Sequence, residues 1–240
     1  MRIAIIGYGK MGQLIEKLAT DLGHQIVYKI DSHNAGLTDN LQNVDVAIEF
    51  THPETAVFNY KKLAGQNIPV VTGTTGWMKD FAEVKKLIDT TGSKFFYASN
   101  FSIGVHLAMA TSNYLAKLIQ NFPEYSVRID EWHHTAKKDA PSGTAISFGE
   151  SIINNHKGYS KLSSENADLQ VGELPVHAYR ENDIPGTHQI KYDSEIDSII
   201  LRHEAKNRQG FALGAIKAAE FLIHQNPGVY TMNDLIKLPL

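Results

Sequence analysis

The chain has 240 residues, of which 42% are hydrophobic, and a formal net charge of -3. A chain of this length can bury a large core and divide into two domains. The nearly balanced charge argues against a nucleic-acid partner. No run approaches the ~20 apolar residues of a membrane span, and the chain has no cysteine for disulfides, thiolate catalysis or Cys-type zinc sites. We expect a cytoplasmic protein without a membrane or nucleic-acid partner.

The N-terminal segment predicts a strand, a glycine-rich turn and a helix. An apolar run at 2–6 is followed by a Gly-x-Gly-x-x-Gly sequence at 7–12 and then by apolar residues at helical spacing. In such a unit the glycines allow a tight turn and a close approach to a pyrophosphate, and the helix N-terminus binds the phosphates. A second apolar run ends in Asp31, near the position of an acid that hydrogen-bonds an adenine ribose. We therefore expect a dinucleotide cofactor and contacts to it from Gly7, Gly9, Lys10, Met11, Gly12 and Asp31.

Three more apolar runs, at 44–50, 68–71 and 94–98, predict further strands. A helix is expected after the first of these, with Thr51 as its cap. Strands that alternate with helices predict a Rossmann-type, doubly wound parallel sheet, in which ligands bind beyond the carboxyl ends of the strands. The loops after the first, third, fourth and fifth strands are therefore candidate cofactor contacts, and the last two contain Gly73, Thr74, Thr75, Asn100 and Phe101. The alternative for the turn at 73–76 is a plain turn without a ligand.

From about residue 104 the pattern changes and predicts an α+β region. The expected elements are helices at 105–118 and about 144–154, and strands at 127–130, 176–180, 188–192 and 198–203. Because the last three strands are joined by segments too short for a helix, antiparallel pairing is expected. One face of such an open sheet has to be covered, and in a chain this small a second copy is the expected cover. The amphipathic helix at 210–223 is expected to return to the first domain.

Two histidines and two lysines lie directly before residues 139–144, whose sequence is typical of a helix start. Cationic side chains then face the positive end of a helix dipole, which is unfavourable unless a small anion lies between them. We expect a small dicarboxylate to bind there. A histidine, with a reference pKa near ~6.5, can also deliver a proton in the same pocket. This combination is typical of an enzyme.

These motifs together resemble the 4-hydroxy-tetrahydrodipicolinate reductase family, also called dihydrodipicolinate reductase. The resemblance is carried by residues 7–12, 73–76, 100–104 and the Glu-x-His-His-x-x-Lys-x-Asp-Ala-Pro-Ser-Gly-Thr segment at 131–144. The motifs occur in order over essentially the whole chain, and the last is highly specific. The resemblance implies NADH- or NADPH-dependent reduction of a cyclic dicarboxylate in diaminopimelate and lysine synthesis.

The resemblance also implies an organisation and a set of site residues. The fold would be α/β, with a dinucleotide-binding domain from residues 1–103 plus 208–240. Residues 104–207 would form an α+β substrate-binding and tetramerisation domain with an open mixed sheet. By position, His133 resembles the family's proton donor and Lys137 its partner catalytic residue. The substrate-carboxylate contacts would be His134, Lys137, Gly143 and Thr144.

The chemistry of such a reduction agrees with these residues. Hydride addition to a conjugated, imine-containing ring leaves negative charge, which a positioned imidazolium can quench. A metal site is the alternative for His133 and His134. Consecutive side chains on an extended segment point to opposite faces, however, and no cysteine is available, so we expect no metal.

Departures from the common family pattern bear on the coenzyme. Lys10 stands where the glycine-rich loop usually carries Arg, and Asp31 is followed by Ser32 and His33 instead of Arg. A carboxylate favours a free ribose hydroxyl, whereas a 2′-phosphate is bound by Arg or Lys. We expect NADH to be used at least as well as NADPH, and Lys10 and Lys29 keep dual use open.

Three other kinds of protein remain as alternatives. Another Rossmann oxidoreductase, such as an amino-acid or semialdehyde dehydrogenase, would share the first hundred residues but not the His-His-x-x-Lys segment. A non-catalytic nucleotide sensor would keep the glycines and lose the anion pocket. A structural or interaction protein would need neither.

Overall fold

The computed structural model describes residues 1–31, 40–164, 169–181 and 183–237. Ser32 and His33, on which part of the coenzyme prediction depends, lie outside the described residues. The chain divides into two compact units, one formed by Met1–Ile103 with Gln209–Leu240 and the other by Gly104–Arg208.

The structure contains the following strands and helices in chain order. The strands are β1 (Arg2–Ile6), β2 (Gln25–Ile30), β3 (Val46–Glu49), β4 (Val70–Thr72), β5 (Lys94–Tyr97), β6 (Ser126–His133), β7 (Lys161–Ser164), β8 (Glu173–Arg180), β9 (Thr187–Asp193), β10 (Ser198–Glu204) and β11 (Gly228–Tyr230). The α-helices are α1 (Lys10–Asp21), α2 (Pro53–Gly65), α3 (Phe81–Thr91), α4 (Ile103–Ile119), α5 (Gly143–Asn155), α6 (Gln209–Ile223) and α7 (Met232–Ile236). Among the described residues, no helix is both long and apolar enough to cross a lipid bilayer.

The first unit is built on a six-stranded parallel sheet with the order β11-β5-β4-β3-β1-β2. Both faces are covered, as a parallel sheet requires. Ile3 and Ile5 of β1 pack into a core with α1 and α6, whereas Ala4 and Ile6 pack into a second core with α2. This alternation follows from the two-residue period of a strand. The structure confirms the predicted Rossmann-type sheet.

Two details of the first unit differ from the sequence prediction. Helix α2 is preceded by His52, and no side chain caps its N-terminus. Thr51 was wrongly predicted as the cap, because its hydroxyl donates a hydrogen bond to the carboxylate of Glu49 instead. The C-terminal tail adds the edge strand β11 and the short helix α7, neither of which is long enough to show a clear periodicity.

The second unit contains a mixed five-stranded sheet with the order β10-β9-β6-β8-β7. Strand β9 pairs antiparallel with β10 and with β6, but β8 runs parallel to β6. The predicted antiparallel set was therefore right for β9 and β10 and wrong for β8. The reason is that β6 lies between β8 and β9, and helix α5 supplies the crossover that a parallel β6–β8 pair needs.

The alternation of side chains along β6 places the polar end of this strand. Val127 and Ile129 point into the core formed with α4 and α5. Glu131 and His133 follow at the same two-residue spacing, so they point to the same covered face and are buried. The opposite face carries Trp132, whose ring stacks on that of Tyr179 at a centroid distance of 5.1 Å.

Candidate active site

The first unit has a cleft of about 410 Å³ at the carboxyl ends of its strands. It is lined by Gly7, Gly9, Lys10, Met11, Gly12, Phe50, Thr51, Gly73, Thr74 and Thr75. Eight of these ten residues were expected as cofactor contacts. Thr51 was not named individually, but it begins the loop after the third predicted strand, which was expected to contact the cofactor, whereas Phe50 was placed inside that strand.

The glycines show that the cleft fits a dinucleotide phosphate. Gly7 has a φ of +94°, and a Cβ there would lie 1.9 Å from the carbonyl oxygen of Phe50. Gly9, which precedes α1, has no atom within 4 Å of the place where a Cβ would be. The backbone at Gly9 therefore meets open space at a helix N-terminus, which is the environment that a pyrophosphate requires.

A buried carboxylate holds two loops of this cleft together. Glu49 is fully buried at the end of β3 and accepts hydrogen bonds from the hydroxyls of Thr72 at 2.6 Å and Thr74 at 2.8 Å. The hydroxyl of Thr51 also donates to Glu49, and the backbone N–H of Thr51 donates to Oγ1 of Thr74 at 2.8 Å. The loops after β3 and β4 are thus fixed to each other. Glu49 was not predicted, although an acid in an otherwise apolar strand is a detectable signal.

The predicted ribose-binding acid lies at the end of β2, next to β1. Asp31 is partly exposed and is not among the residues that line the cleft. Lys29, two residues earlier, has its ammonium 3.0 Å from the carboxylate of Glu16 and 5.1 Å from the ring centroid of Tyr8. The hydrogen bond from Lys29 to Glu16 raises the pKa of Lys29. The charge of Lys29 is therefore already paired with an acid.

Asn100 and Phe101 are also not among the cleft-lining residues. The side chain of Asn100 accepts a hydrogen bond from the backbone N–H of Ser102 at 2.8 Å. Phe101 is buried and packs against Phe50, which does line the cleft, with 5.9 Å between the ring centroids.

In the second unit, Glu131 is the centre of a buried polar network. Both of its carboxylate oxygens accept hydrogen bonds from the backbone N–H of Ser142, at 3.0 and 3.1 Å, and Oε1 also accepts from Arg180 at 3.1 Å. Oε2 lies 3.5 Å from Nε2 of His133 and 3.6 Å from Nε2 of His188. One carboxylate is thus surrounded by four groups that carry or can carry protons.

The network perturbs the acid and one of the histidines. Burial acts to raise the pKa of Glu131, but the nearby imidazoles of His133 and His188 and the hydrogen bonds from Ser142 outweigh it and hold this pKa well below its ordinary value. Burial lowers the pKa of His188, against the opposing effect of Glu131. Glu131 is therefore ionised and His188 is neutral near neutral pH.

The segment from His134 to Asp139, called the lysine segment below, is tied to the same network. Lys137 donates to the carboxylate of Asp139 at 2.7 Å, and Arg180 donates to the backbone carbonyl of Asp139 at 2.6 Å. Ser142 then caps helix α5, with its hydroxyl accepting from the N–H of Ala145 at 3.1 Å. The start of α5 and the lysine segment are thereby held beside Glu131.

The structure brings the predicted catalytic residues into one region of the second unit. His133 is buried, whereas Lys137 and His134 are partly exposed. Gly143 and Thr144 form the first turn of α5. Four further residues of this site were not predicted from the sequence, namely Glu131, Ser142, Arg180 and His188. The first two lie inside the specific motif, but nothing in the local sequence connects it to strands β8 and β9.

Glu131, His133 and His188 could also be considered as metal ligands, since each offers an atom within 4.8 Å of the others. Both oxygens of Glu131 are already engaged by Ser142, and Arg180 brings a positive charge to the same carboxylate. A second cation there would be repelled. The geometry favours sharing of a proton over binding of a metal ion.

Two family models together match almost the whole chain. Residues 1–101 match the family model described as dihydrodipicolinate reductase, N-terminus, and residues 104–236 match the one described as dihydrodipicolinate reductase, C-terminus. The chain belongs to the dihydrodipicolinate reductase family. It is therefore an oxidoreductase, with a nucleotide-binding Rossmann domain that implies a nicotinamide coenzyme. The alternatives of an unrelated dehydrogenase, a sensor or a structural protein are set aside by this match.

Individual dihydrodipicolinate reductases agree with the family match. The chain is 43% identical over 236 residues to the 4-hydroxy-tetrahydrodipicolinate reductase of Christiangramia forsetii, with 98% of each chain covered. It is 34% identical over 247 residues to that of Staphylococcus epidermidis, with 98% of this chain and 100% of the relative covered. The dipicolinate-bound dihydrodipicolinate reductase from Paenisporosarcina sp. TG-14 has the same fold, with a TM-score of 0.76 at 24% identity over 96% of this chain and 97% of that one. The family reduces a dihydrodipicolinate-type substrate in lysine and diaminopimelate synthesis.

Proposed function

We propose that this reductase converts 4-hydroxy-tetrahydrodipicolinate, or its dehydrated form dihydrodipicolinate, to tetrahydrodipicolinate, with His133 as the proton donor. The observation that carries the proposal is that His133 lies buried beside an ionised carboxylate, in one network with the lysine segment and the start of α5. A proton donor and an anion-binding site are thereby held in the same region of the second unit.

Substrate carboxylates would be bound by Lys137, His134 and the first turn of α5, which contains Gly143 and Thr144. The dipole of α5 and the ammonium of Lys137 both favour an anion. Lys137 is paired with Asp139 in this structure, at 2.7 Å, so a substrate carboxylate would replace Asp139 as its partner. The dipicolinate named in the related solved structure supports a planar dicarboxylate as the ligand of this family.

In the reaction, the residues of the second unit handle the charge and the proton. The coenzyme, when bound, supplies the hydride. Hydride addition leaves negative charge on the conjugated ring, and His133 gives its proton to the ring to quench that charge. Lys137, the partner catalytic residue, fixes a carboxylate and lowers the energy of the anionic transition state.

The choice of coenzyme follows from the environment of β2. We expect NADH to be used at least as well as NADPH, because Asp31 would bind a free ribose 2′-hydroxyl and repel a 2′-phosphate. The pairing of Lys29 with Glu16 supports this expectation, since it leaves Lys29 less able to attract a phosphate. Lys10 lines the cleft and would contact the coenzyme in either case.

The proposed assembly is a homotetramer in the cytoplasm. Helices α4 and α5 cover one face of the second sheet. The other face carries Trp132, Tyr179 and Arg202, and the ring of Tyr179 is exposed there. A second copy of the chain would cover this face, as the family resemblance implies. The absence of cysteine is consistent with a reducing compartment.

A coupled assay tests the proposed reaction. Pyruvate and aspartate semialdehyde are supplied to the preceding synthase, and oxidation of NADH and of NADPH by the reductase is followed separately at 340 nm, the wavelength at which reduced nicotinamide absorbs. We expect oxidation that depends on the synthase and on both of its substrates. If neither NADH nor NADPH is oxidised, the proposed function is contradicted.

A further inference from the structure

His133 and His188 compete for one carboxylate. Their Nε2 atoms lie 3.5 Å and 3.6 Å from the same oxygen of Glu131, and their ring centroids are 5.2 Å apart. Two imidazolium ions this close would repel each other strongly in a buried site. At most one of the two imidazoles, His133 or His188, can therefore be protonated at a time. The groups around the two rings decide which one carries the proton.

The surroundings disfavour a positive charge on His188. His188 is the more deeply buried of the two and its pKa is lowered, first by burial. Its Nε2 also lies 3.1 Å from the hydroxyl of Ser142, which gives the neutral ring a hydrogen-bond partner. The other charged or titratable groups near the pair are Arg180 on β8, His203 on β10, and Lys137 and Asp139 in the lysine segment.

The position of Glu131 also distinguishes the two nitrogens of His133. Nε2 is buried, has no hydrogen-bond partner within normal distance, and is the nitrogen that faces Glu131. A small movement would bring this nitrogen into a charge-assisted hydrogen bond with the carboxylate. Nδ1 is then the nitrogen left to meet another molecule.

We propose that Glu131 is the positioning residue of the proton donor: it holds the Nε2 side of His133, keeps the charge on this ring instead of on His188, and leaves Nδ1 to deliver the proton. The inference rests on the proposed function, because it requires His133 to be the donor. In the step itself, the bond between Nδ1 and its proton breaks, and the proton bonds to the ring atom that carries the negative charge. Neutral His133 remains, with its Nε2–H directed at Glu131.

Glu131→Gln tests this role because it removes the charge and keeps the size of the side chain. We expect kcat to fall at least tenfold. The pH above which kcat declines should also move to lower values, because an amide no longer favours the imidazolium form of His133. Binding of pyridine-2,6-dicarboxylate should be unchanged or tighter, because a negative charge leaves an anion site. Glu150→Gln, the same change at an exposed position of α5, should leave all three quantities unchanged.

The binding measurement separates positioning from mere support of the fold. If Glu131 only maintained the pocket, its replacement would weaken binding of the diacid. It would also lower kcat by the same factor at every pH, so that the shape of the pH profile would not change. That result would overturn the inference. A wild-type kcat and pH profile in Glu131→Gln would overturn it as well.

A double mutant tests whether Glu131 acts through His133. In the His133→Gln background, Glu131→Gln should lower kcat by less than twofold, because residues that act as a unit are not additive. A further tenfold loss in the double mutant would show that Glu131 acts on its own and would overturn the inference. The same series keeps the two proposals apart. A fully active His133→Gln single mutant would remove His133 from the proposed function, whereas a slow His133→Gln beside an unaffected Glu131→Gln would remove only the positioning role.

Discussion

Gly186 lies so close to the imidazole of His133 that a Cβ at position 186 would be 2.9 Å from Cε1 of the ring. Its φ of +154° is also one that L side chains rarely adopt. The turn before β9 therefore forms one wall of the His133 pocket, and Glu131 approaches the same ring at Nε2. The orientation of the proposed proton donor depends on a contact from the turn before β9 as well as on a contact from its own strand, β6.

Gly186→Ala should displace the His133 ring and lower kcat by at least about tenfold, because a misplacement of about 1 Å can cost ~10²-fold in rate. Steady-state kinetics would measure the loss, and circular dichroism would show that the fold is kept. Gly210→Ala is the matched control, since nothing lies within 4 Å of a Cβ at that position. A wild-type kcat in Gly186→Ala would mean that this contact does not orient His133.

His133→Gln should lower kcat by roughly 10²–10⁴ and change KM little, because a proton donor acts mainly in the transition state. The comparison is with His224→Gln, the same change at an exposed position after α6, which should keep full activity. Equal rates for His133→Gln and the wild type would show that another group delivers the proton.

Asp31→Ala should weaken the binding of NADH more than the binding of NADPH, because only the free 2′-hydroxyl of NADH loses a hydrogen bond to the acid. Asp21→Ala, an exposed acid at the end of α1, should affect neither coenzyme. Dissociation constants from fluorescence titration of each coenzyme would decide the matter. Equal losses for NADH and NADPH would show that Asp31 does not contact the ribose.

Glu16→Gln should have the opposite effect and improve NADPH relative to NADH. In the wild type Glu16 accepts a hydrogen bond from Lys29 at 3.0 Å, and this interaction raises the pKa of Lys29. Without the acid, the ammonium of Lys29 is available to a 2′-phosphate on the same side of β2 as Asp31. The ratio of kcat/KM for the two coenzymes would measure the change, and an unaltered ratio would exclude Lys29 from coenzyme selection.

The sequence was informative where a local pattern carries the physics. The strand, turn and helix around Gly7 and Gly9 and the alternating strands of the Rossmann sheet follow from short-range periodicity, and both are present as predicted. The partners of Glu131 could not be found in this way. His188 and Arg180 reach it only because β8 and β9 flank β6, and that strand order depends on long-range packing.

Thr51 shows the same limit on a smaller scale. A threonine before a proline-containing first turn is typical of a helix cap. In the fold, the buried carboxyl group of Glu49 accepts a hydrogen bond from the same hydroxyl, because a buried acceptor without enough hydrogen-bond donors would be costly in the core. A tertiary hydrogen bond therefore replaced the local one, and Thr51 became part of the wall of the cleft.

Two histidines of the second unit, His188 and His203, predict a pH-dependent stability. Burial lowers the pKa of His188 and of His203 below the ordinary value. As the pH falls below ~6.5, the unfolded chain takes up protons that the folded chain does not, so the free energy of unfolding decreases. The pKa of Glu131 is also lowered, and its contribution is present above about pH 4.3 and is lost as the pH falls further.

Urea unfolding at about pH 7.5, 6.5 and 5.5 would test this, and the midpoint should fall over the acidic half of that range. His188→Gln should make the midpoint less dependent on pH, because it removes one of the groups that titrates differently in the two states. A midpoint that is constant across the range would contradict the inference that the folded chain holds these histidines in the neutral form.

Lys137 decides whether the second unit is a dicarboxylate site. Its ammonium is only 2.7 Å from Asp139, so a carboxylate of a bound diacid must replace Asp139 as the partner of Lys137. Asp139→Asn should therefore strengthen binding of pyridine-2,6-dicarboxylate a few-fold, since the competing carboxylate is removed and an exposed ion pair is worth about 0–1 kcal/mol. Weaker binding of the diacid to Asp139→Asn would mean that Asp139 supports the site instead of competing with the diacid for Lys137.

Lys137→Ala should weaken the same diacid by about 1.5–3 kcal/mol, the range for a hydrogen bond to a charged group, and leave coenzyme affinity nearly intact. Added salt should also weaken binding to the wild type, because it screens a partly exposed charge. Lys138→Ala is the matched control, since Lys138 is the exposed neighbour in the same segment. Calorimetry with wild type and both variants gives the result directly. If Lys137→Ala binds the diacid as the wild type does, the anion site does not include Lys137, and the carboxylates must be held by the start of α5 and His134 alone.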